Sequence, residues 1–384
     1  MARILQVCNH DFYLTKFLTP LVRKLVEHGH EIECACEGGE VHPDILDLGV
    51  VVHSFEFPKR SSPLAFFEKI QQMRRLIRRG RYHCVDSHNR SGSIIARVAA
   101  WLERVPLNVY TAHGFYFHDD QPLLIREATV LLEVLLARMT DYTLSQSSED
   151  VEFAVRRGIL KRDRIEHIGN GINTKRFSPT KCRGQLEQEL GFSPGRFRIC
   201  STGRLVKGKG FTDLLEAFSD FHMSVRNSEL LIIGGNIDQD IWPYQREFLE
   251  SVNALGLVRD VVVTGITDRV EDYLAISDLF VLPSYREGMP RALLEAMSMG
   301  LPSIATNIRG CREIIIDGQN GYLFEPKDIG KLASLMRMLY QSTDIRERVG
   351  ASGRETSVTK YDEFRYVEIQ VSAINRLLAA KAIA

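Results

Sequence analysis

Net charge is the first thing this sequence lacks: 49 lysines and arginines stand against 49 aspartates and glutamates. A nucleic-acid-binding chain would carry an excess of cations, so the balance argues against nucleic acid as the main partner. Long apolar runs are missing too, and no stretch approaches the length of a membrane-spanning helix. The N-terminus has no apolar h-region, so no signal peptide is expected. Cysteine is sparse, with seven in 384 residues. The count is odd and no metal-ligand spacing occurs, which predicts free thiols in a reducing compartment. Cys34 and Cys36 lie in a strand-like run and read as packing residues. What remains is ordinary: 44% apolar and 26% charged residues, a soluble globular composition long enough for two domains.

Short apolar strands alternate with helical stretches. Ile4 to Cys8, Glu31 to Cys36, Cys84 to His88 and Val109 to His113 read as strands or strand ends, with a helix over Phe17 to His28. The pattern restarts at Phe197, with strands near Leu230 to Ile233, Val261 to Thr264, Leu279 to Leu282 and Pro302 to Ala305. This predicts an α/β chain with two doubly wound parallel sheets. Ligands of such sheets sit beyond the carboxyl ends of the strands, and two facing domains would frame a cleft. The stretch Gly191 to Gly195 is the expected linker. The expected domains are residues 1–190 and 196–358, with a helix in 359–384 packing back on the first.

Residues 282–297 carry the sharpest pattern. Glu287 and Glu295 stand eight apart across Gly288-Met289-Pro290, with an apolar strand before and a helix-forming stretch after. Pro290 suits the first turn of a helix, where its missing N–H costs nothing. The N–H groups of that turn and the helix dipole favour an anion in front of it. Glu295 lies five residues past Pro290, about 7.5 Å along the axis, and Glu287 stays in the loop on the other side of the tip. A diphosphate at the tip would then have a carboxylate on each side, each able to accept bonds from hydroxyls. A nucleotide-sugar has that shape. The bland alternative is an amphipathic helix with two solvated glutamates.

A second pattern is basic. Residues 198–210 run from a short strand into a loop with Gly203, Gly208 and Gly210 and the cations Arg204, Lys207 and Lys209. Glycines let a backbone approach phosphate oxygens and cations offset their charge. No Gly-Lys-Ser/Thr closes the loop, which excludes a Walker motif. A solvated loop is the plain alternative.

Taken together, Thr202-Gly203-Arg204, Lys209-Gly210, Glu287 and Glu295 resemble the retaining family 4 glycosyltransferases of the GT-B fold. Two further stretches are similar to that family: Gly169-Asn170-Gly171-Ile172-Asn173 with Arg176-Phe177, and Ala305-Thr306-Asn307 with Gly310, Arg312, Glu313, Gly318, Asn320-Gly321 and Phe324. The resemblance runs through most of residues 85–330. It implies that Arg204 and Lys209 grip the donor diphosphate, that Glu295 binds the ribose hydroxyls, and that Glu287 lies at the donor sugar. Gly203, Gly288, Met289 and Pro290 line the same donor site by this resemblance, and His113 falls at the donor's reacting end. It implies a nucleotide-sugar co-substrate, UDP-linked, with no cofactor and no metal. The His113-Gly114-Phe115 segment looks like bacterial members that extend polyprenyl-diphosphate-linked sugars, which implies a glycan or lipid-linked acceptor and a cytoplasmic enzyme peripheral on the inner face of the membrane. The loop Asn9-His10-Asp11-Phe12-Tyr13 departs from the family, since many members carry paired glycines there; His10 and Asp11 could instead contact an acceptor.

Several residues stay open to other readings. His118, Asp119 and Asp120 could be mistaken for a metal site and read as a solvated loop. Asp238-Gln239-Asp240 resembles a metal-binding Asp-x-Asp but stands away from the donor motif. Between Lys59 and Arg81 there are eight cations and one acid, Glu68. Phe66, Ile70, Met73 and Ile77 fall at helical spacing toward a core, which leaves Arg74, Arg75, Arg78 and Arg79 outside, a surface suited to anionic lipid or simply solvated. Leu123 to Met139 reads as a core or interface helix. The competing functions are a nucleotide-sugar epimerase, a non-catalytic sugar-nucleotide sensor, and a glycoside hydrolase using both glutamates, which leaves the basic loop unexplained.

Overall fold

The computed structural model describes residues 1–38, 43–58, 62–115, 122–179, 182–235 and 244–382, without the side chains of residues 90 and 91. His118, Asp119, Asp120, the Asp238 to Asp240 triplet, Lys59 and Arg60 lie outside the described residues. The chain forms two compact units, one of residues 1–169 with 364–384 and one of residues 170–363.

The first unit is built on seven parallel strands: β1 (Arg3–His10), β2 (Glu31–Glu37), β3 (Val51–Ser54), β4 (Cys84–His88), β5 (Leu107–Ala112), β6 (Tyr142–Ser145) and β7 (Ile165–His167). Their order is β3-β2-β1-β4-β5-β6-β7. Side chains alternate across a strand. Ile4 and Cys8 therefore join one core, with Val371 and Ile374 of the helix Glu363–Ala380, and Leu5 and Val7 join the other, with Met73 and Ile77. Both faces are covered, as an all-parallel sheet requires. The expected loop Asn9 to Tyr13 is divided: β1 runs through His10, and Asp11–Tyr13 is a helical turn. Asn9 Oδ1 accepts from Gly92 N–H at 2.7 Å, at the start of the helix Arg90–Leu102.

The second unit has six parallel strands, β8 (Phe197–Thr202), β9 (Ser228–Ile233), β10 (Val261–Val263), β11 (Leu279–Leu282), β12 (Ser303–Thr306) and β13 (Tyr322–Phe324), in the order β10-β9-β8-β11-β12-β13. In each sheet the order reverses once, between β1 and β4 and between β8 and β11. Such a reversal leaves a crevice at the carboxyl ends of the two strands.

The expected linker, Gly191 to Gly195, lies inside the second unit, and the division falls earlier, at Gly169 and Asn170. Arg198 shows why. It is fully buried on β8. Its guanidinium bonds Glu187 of the helix Arg183–Leu190 at 2.5 Å and Glu229 of β9 at 2.7 Å, and it donates to the carbonyl of Ser193. Arg183 of the same helix reaches Asp278 at 2.7 Å. These ionic ties hold residues 183–193 to the second sheet. Removing one partner of a buried ion pair leaves the other charge uncompensated. Arg198→Met is therefore expected to destabilise the second unit by about 3 kcal/mol, read from the midpoint of urea unfolding; an unchanged midpoint would show these ties to be neutral.

Candidate active site

The carboxyl ends of β8 and β11 carry the two sequence patterns. Gly203 directly follows β8, and its N–H donates to Ile233 O at 3.0 Å. The basic loop then turns back at Gly210, with φ +66°, and a Cβ there would stand 2.1 Å from Pro283 O. No L side chain fits, so glycine lets this loop lie against the exit of β11. Tyr285 N–H donates to Gly208 O at 3.0 Å and ties the two loops together. As a result Lys209 Nζ meets Glu287 Oε1 at 2.6 Å, across 78 residues of sequence. Both side chains are mostly buried, 24% and 14% exposed, so this contact is sheltered from water. Arg204 is exposed on the same loop.

The third wall comes from the loop after β12. Gly310 lies so close beneath Gly288 that a Cβ would be 1.9 Å from Gly288 O. Thr306 Oγ1 donates to Ser284 O. Met289 and Pro290 are buried. Pro290 is the residue before the first turn rather than within it: it is extended (φ −74°, ψ 100°), and the helix is Arg291–Ser298. Its carbonyl accepts from Leu293 and Leu294 N–H at 3.2 and 3.3 Å. The helix tip thus begins one residue later than the sequence suggests, with the N–H groups of Arg291 and Ala292 at its mouth.

Glu295 stands one turn into this helix. Burial pushes its carboxyl above the ordinary 4.5; Arg291 and Arg176 pull it back, and Glu271 and Glu363 add to the rise. Arg291 donates to Gly171 O at 2.7 Å and lies 3.7 Å from Glu363. Arg176 pairs with Glu271 at 2.7 Å. The stretch Gly171 to Phe177 is therefore gathered around Glu295. Asn320 does something else: it is buried, accepts from Ile316 N–H at 2.7 Å and donates to Ile314 O at 3.0 Å, holding a turn.

The residues that sequence reasoning missed here are Tyr285, Asp213 and Glu363. Tyr285 donates its hydroxyl to Asp213 Oδ1 at 2.9 Å, and Lys327 lies over its ring at 5.8 Å. Tyr285 is inside the motif, but nothing in spacing links it to residues 213 or 327. Cys311 lies buried near the pair; burial and then Glu287 push its thiol up, which keeps it protonated and inert. All seven cysteines are free thiols. His113 belongs to the first unit, half-buried just after β5. Among the described residues no group of histidine, cysteine or carboxylate side chains could hold a metal ion.

Chemically, the second unit offers a sheltered lysine paired with Glu287, close-approaching glycine backbone and, four residues beyond Glu287, the start of the helix that carries Glu295. That set suits a diphosphate flanked by hydroxyl-bearing groups. Two parallel sheets of this order, with such groups at the switch point of the second, define the GT-B class of glycosyltransferase folds. Residues 14–171 match the family described as Glycosyl transferase 4-like domain, and residues 183–356 match Glycosyl transferases group 1. The chain is thus a glycosyltransferase with one domain of each kind. It is 29% identical to EpsD of Bacillus subtilis (strain 168), over 95% of this chain and 94% of that one. It is 28% identical to the UDP-Gal:alpha-D-GlcNAc-diphosphoundecaprenol alpha-1,3-galactosyltransferase of Escherichia coli, over 82% and 80%. Its fold matches that of Anabaena Alr3699/HepE, solved in complex with UDP and glucose, with TM-score 0.82 at 18% identity over 99% and 100% of the two chains.

The raised carboxyl of Glu295 has a measurable consequence. A carboxylate whose folded pKa exceeds its unfolded one lowers stability as pH rises between the two values, and the cost is complete above the folded value. Glu295→Gln should therefore raise the melting temperature of the free protein at neutral pH, with the gain vanishing toward about pH 4. A variant less stable than the parent at neutral pH would show that Arg291 and Arg176 outweigh burial.

Proposed function

We propose that this protein is a metal-independent, retaining glycosyltransferase that moves a sugar from a UDP-sugar to a polyprenyl-diphosphate-linked acceptor in surface-glycan assembly. The observation that carries the reading is the Lys209–Glu287 pair at the switch point, just ahead in sequence of the helix that carries Glu295. The Escherichia coli relative, named for a UDP-galactose donor and a diphosphoundecaprenol-linked acceptor, supports it. In the proposed step the bond from sugar C1 to the diphosphate oxygen breaks, and a bond to the acceptor oxygen forms on the same face. The acceptor's proton goes to the departing diphosphate. Arg204 and Lys209 offset the charge that grows there. Glu287 holds Lys209 in place before the donor arrives and accepts from a sugar hydroxyl. Glu295 accepts from the ribose hydroxyls, and His113 attends the reacting end of the donor. No nucleophile from the protein is required.

The test is a panel of nucleotide-sugars with mass detection of released nucleotide. Arg204→Ala and Lys209→Ala should each lower kcat/KM by roughly a hundredfold, and activity should persist in EDTA. Glu287→Gln should lower kcat, and Glu295→Ala should raise the donor KM. Near-normal turnover of both cation variants at low donor would sink the diphosphate grip. Loss in EDTA restored by manganese would sink metal independence. Turnover of the donor alone into a second nucleotide-sugar would identify an epimerase.

The acceptor's lipid places the reaction at the inner face of the cell membrane. Among the described residues no helix is long and apolar enough to cross a membrane. The helix Pro63–Gly80 buries Met73 and Ile77, and its arginines divide into two sets. Arg74 and Arg78 both bond Glu103, at 2.7 and 2.8 Å. Arg75 and Arg79 are exposed. These two, rather than all four, form the proposed contact with anionic lipid. Arg75→Glu with Arg79→Glu should weaken binding to anionic vesicles, and salt should weaken the parent's binding likewise. Arg74→Gln should change it less. Equal binding to neutral and anionic vesicles would reduce the segment to a solvated face.

A further inference from the structure

The sheet face of the first unit that carries Ile4, Cys84 and Val109 is covered by Val371 and Ile374. Toward its carboxyl edge the same face turns polar. Alternation along β1 and β4 puts Gln6, Asp86 and His88 on it, and Gln6 is paired with Asp86 in the strand register. All three are buried, with at most 1% exposed. Polar groups buried to this depth raise the cost of folding unless they are bonded.

His88 is the centre of the cluster. Its Nε2 lies 2.7 Å from Gln6 Oε1 and 3.4 Å from Asp86 Oδ2. Its Nδ1 lies 3.0 Å from Nε2 of His113. Asp86 Oδ1 accepts from the Thr111 hydroxyl at 2.8 Å. A second side of the His113 ring meets Tyr13 edge-on, with centroids 5.2 Å apart.

For a pair of neutral rings these distances favour one arrangement of protons. Gln6 Oε1 bonds His88 Nε2, and the Asp86 carboxylate stands just beyond bonding distance on the same side, so the proton is assigned to Nε2. A neutral imidazole has one N–H and one lone pair, so His88 Nδ1 accepts. The 3.0 Å contact is then a bond donated by His113 Nε2. We propose that Gln6, Asp86 and His88 are positioning residues that hold His113 in its Nε2–H tautomer and fix its ring plane, which makes Nδ1 the accepting nitrogen of that ring. This inference rests on the reading of His113 at the donor's reacting end. It also narrows that reading, because a neutral His113 held this way accepts through Nδ1 and does not donate through it.

The experiment is nitrogen-15 NMR of histidine-labelled protein at a pH where both rings are neutral, with His113 assigned from the signals lost in His113→Asn. The parent should show His113 as the Nε2–H tautomer. His88→Phe should release it toward a mixture, and kcat should fall roughly tenfold or more, by analogy with metal-site histidines that lose an outer hydrogen-bond partner, with donor KM little changed. Gln6→Leu keeps the His88–His113 contact but removes one acceptor, and should shift the tautomer in the same direction; it serves if His88→Phe does not fold. An Nδ1–H tautomer in the parent, or a tautomer unmoved in both variants, overturns the proposal. If His113→Asn transfers sugar normally while the tautomer responds as expected, the positioning chain stands and the role of His113 in transfer falls.

Discussion

In the second unit β8 pairs in parallel with β11, Leu279 beside Ile199 and Phe280 beside Cys200, and the site follows from that pairing. Parallel neighbours send their loops out at the same edge, and the reversal of strand order leaves a gap there. Two positions without side chains then let backbone meet backbone, Gly210 against Pro283 O and Gly310 against Gly288 O. A Cβ at either would push the loops apart, and Lys209 would no longer reach Glu287. The side-chain chemistry thus depends on two close backbone approaches, which depend in turn on the strand pairing.

The same region sets stability against function. Glu295 is a carboxylate that burial disfavours, and its neighbours Glu271 and Glu363 disfavour it further. Arg291 and Arg176 offset only part of this. An apolar residue would serve the free protein better, whereas hydroxyls of a nucleotide need an acceptor. In the first unit, Gln6, Asp86 and His88 set a second polar cluster at the carboxyl ends of β1 and β4.

Much of this was legible beforehand, and the gaps have physical causes. β4 and β11 coincide with the expected strands because each is a short run bounded by turns. β3, β7 and β13 have three or four residues, so periodicity has too little length to register them. Pro290 suits a first helical turn because its missing N–H costs nothing there, yet its ψ of 100° keeps it outside; propensity does not report ψ. The glycine-rich stretch near 191–195 has linker composition, but Arg198 binds the helix before it through Glu187. The helix Leu123–Ala137 buries Val130 and Leu136 and leaves Leu124, Leu131 and Leu135 exposed, a division its near-continuous apolar run conceals.

The sequence by itself determined the fold class, the two motifs and the residue types able to meet a diphosphate and its flanking hydroxyls. Those are matters of local spacing, which the chain's own geometry enforces within a turn or two. Only the tertiary structure decided that Lys209 meets Glu287, that Arg74 and Arg78 but not Arg75 and Arg79 share Glu103, and that His113 is backed by His88 and Gln6. Each of those contacts joins residues on different elements. Strand order and packing set such distances, and no interval counted along the chain contains them.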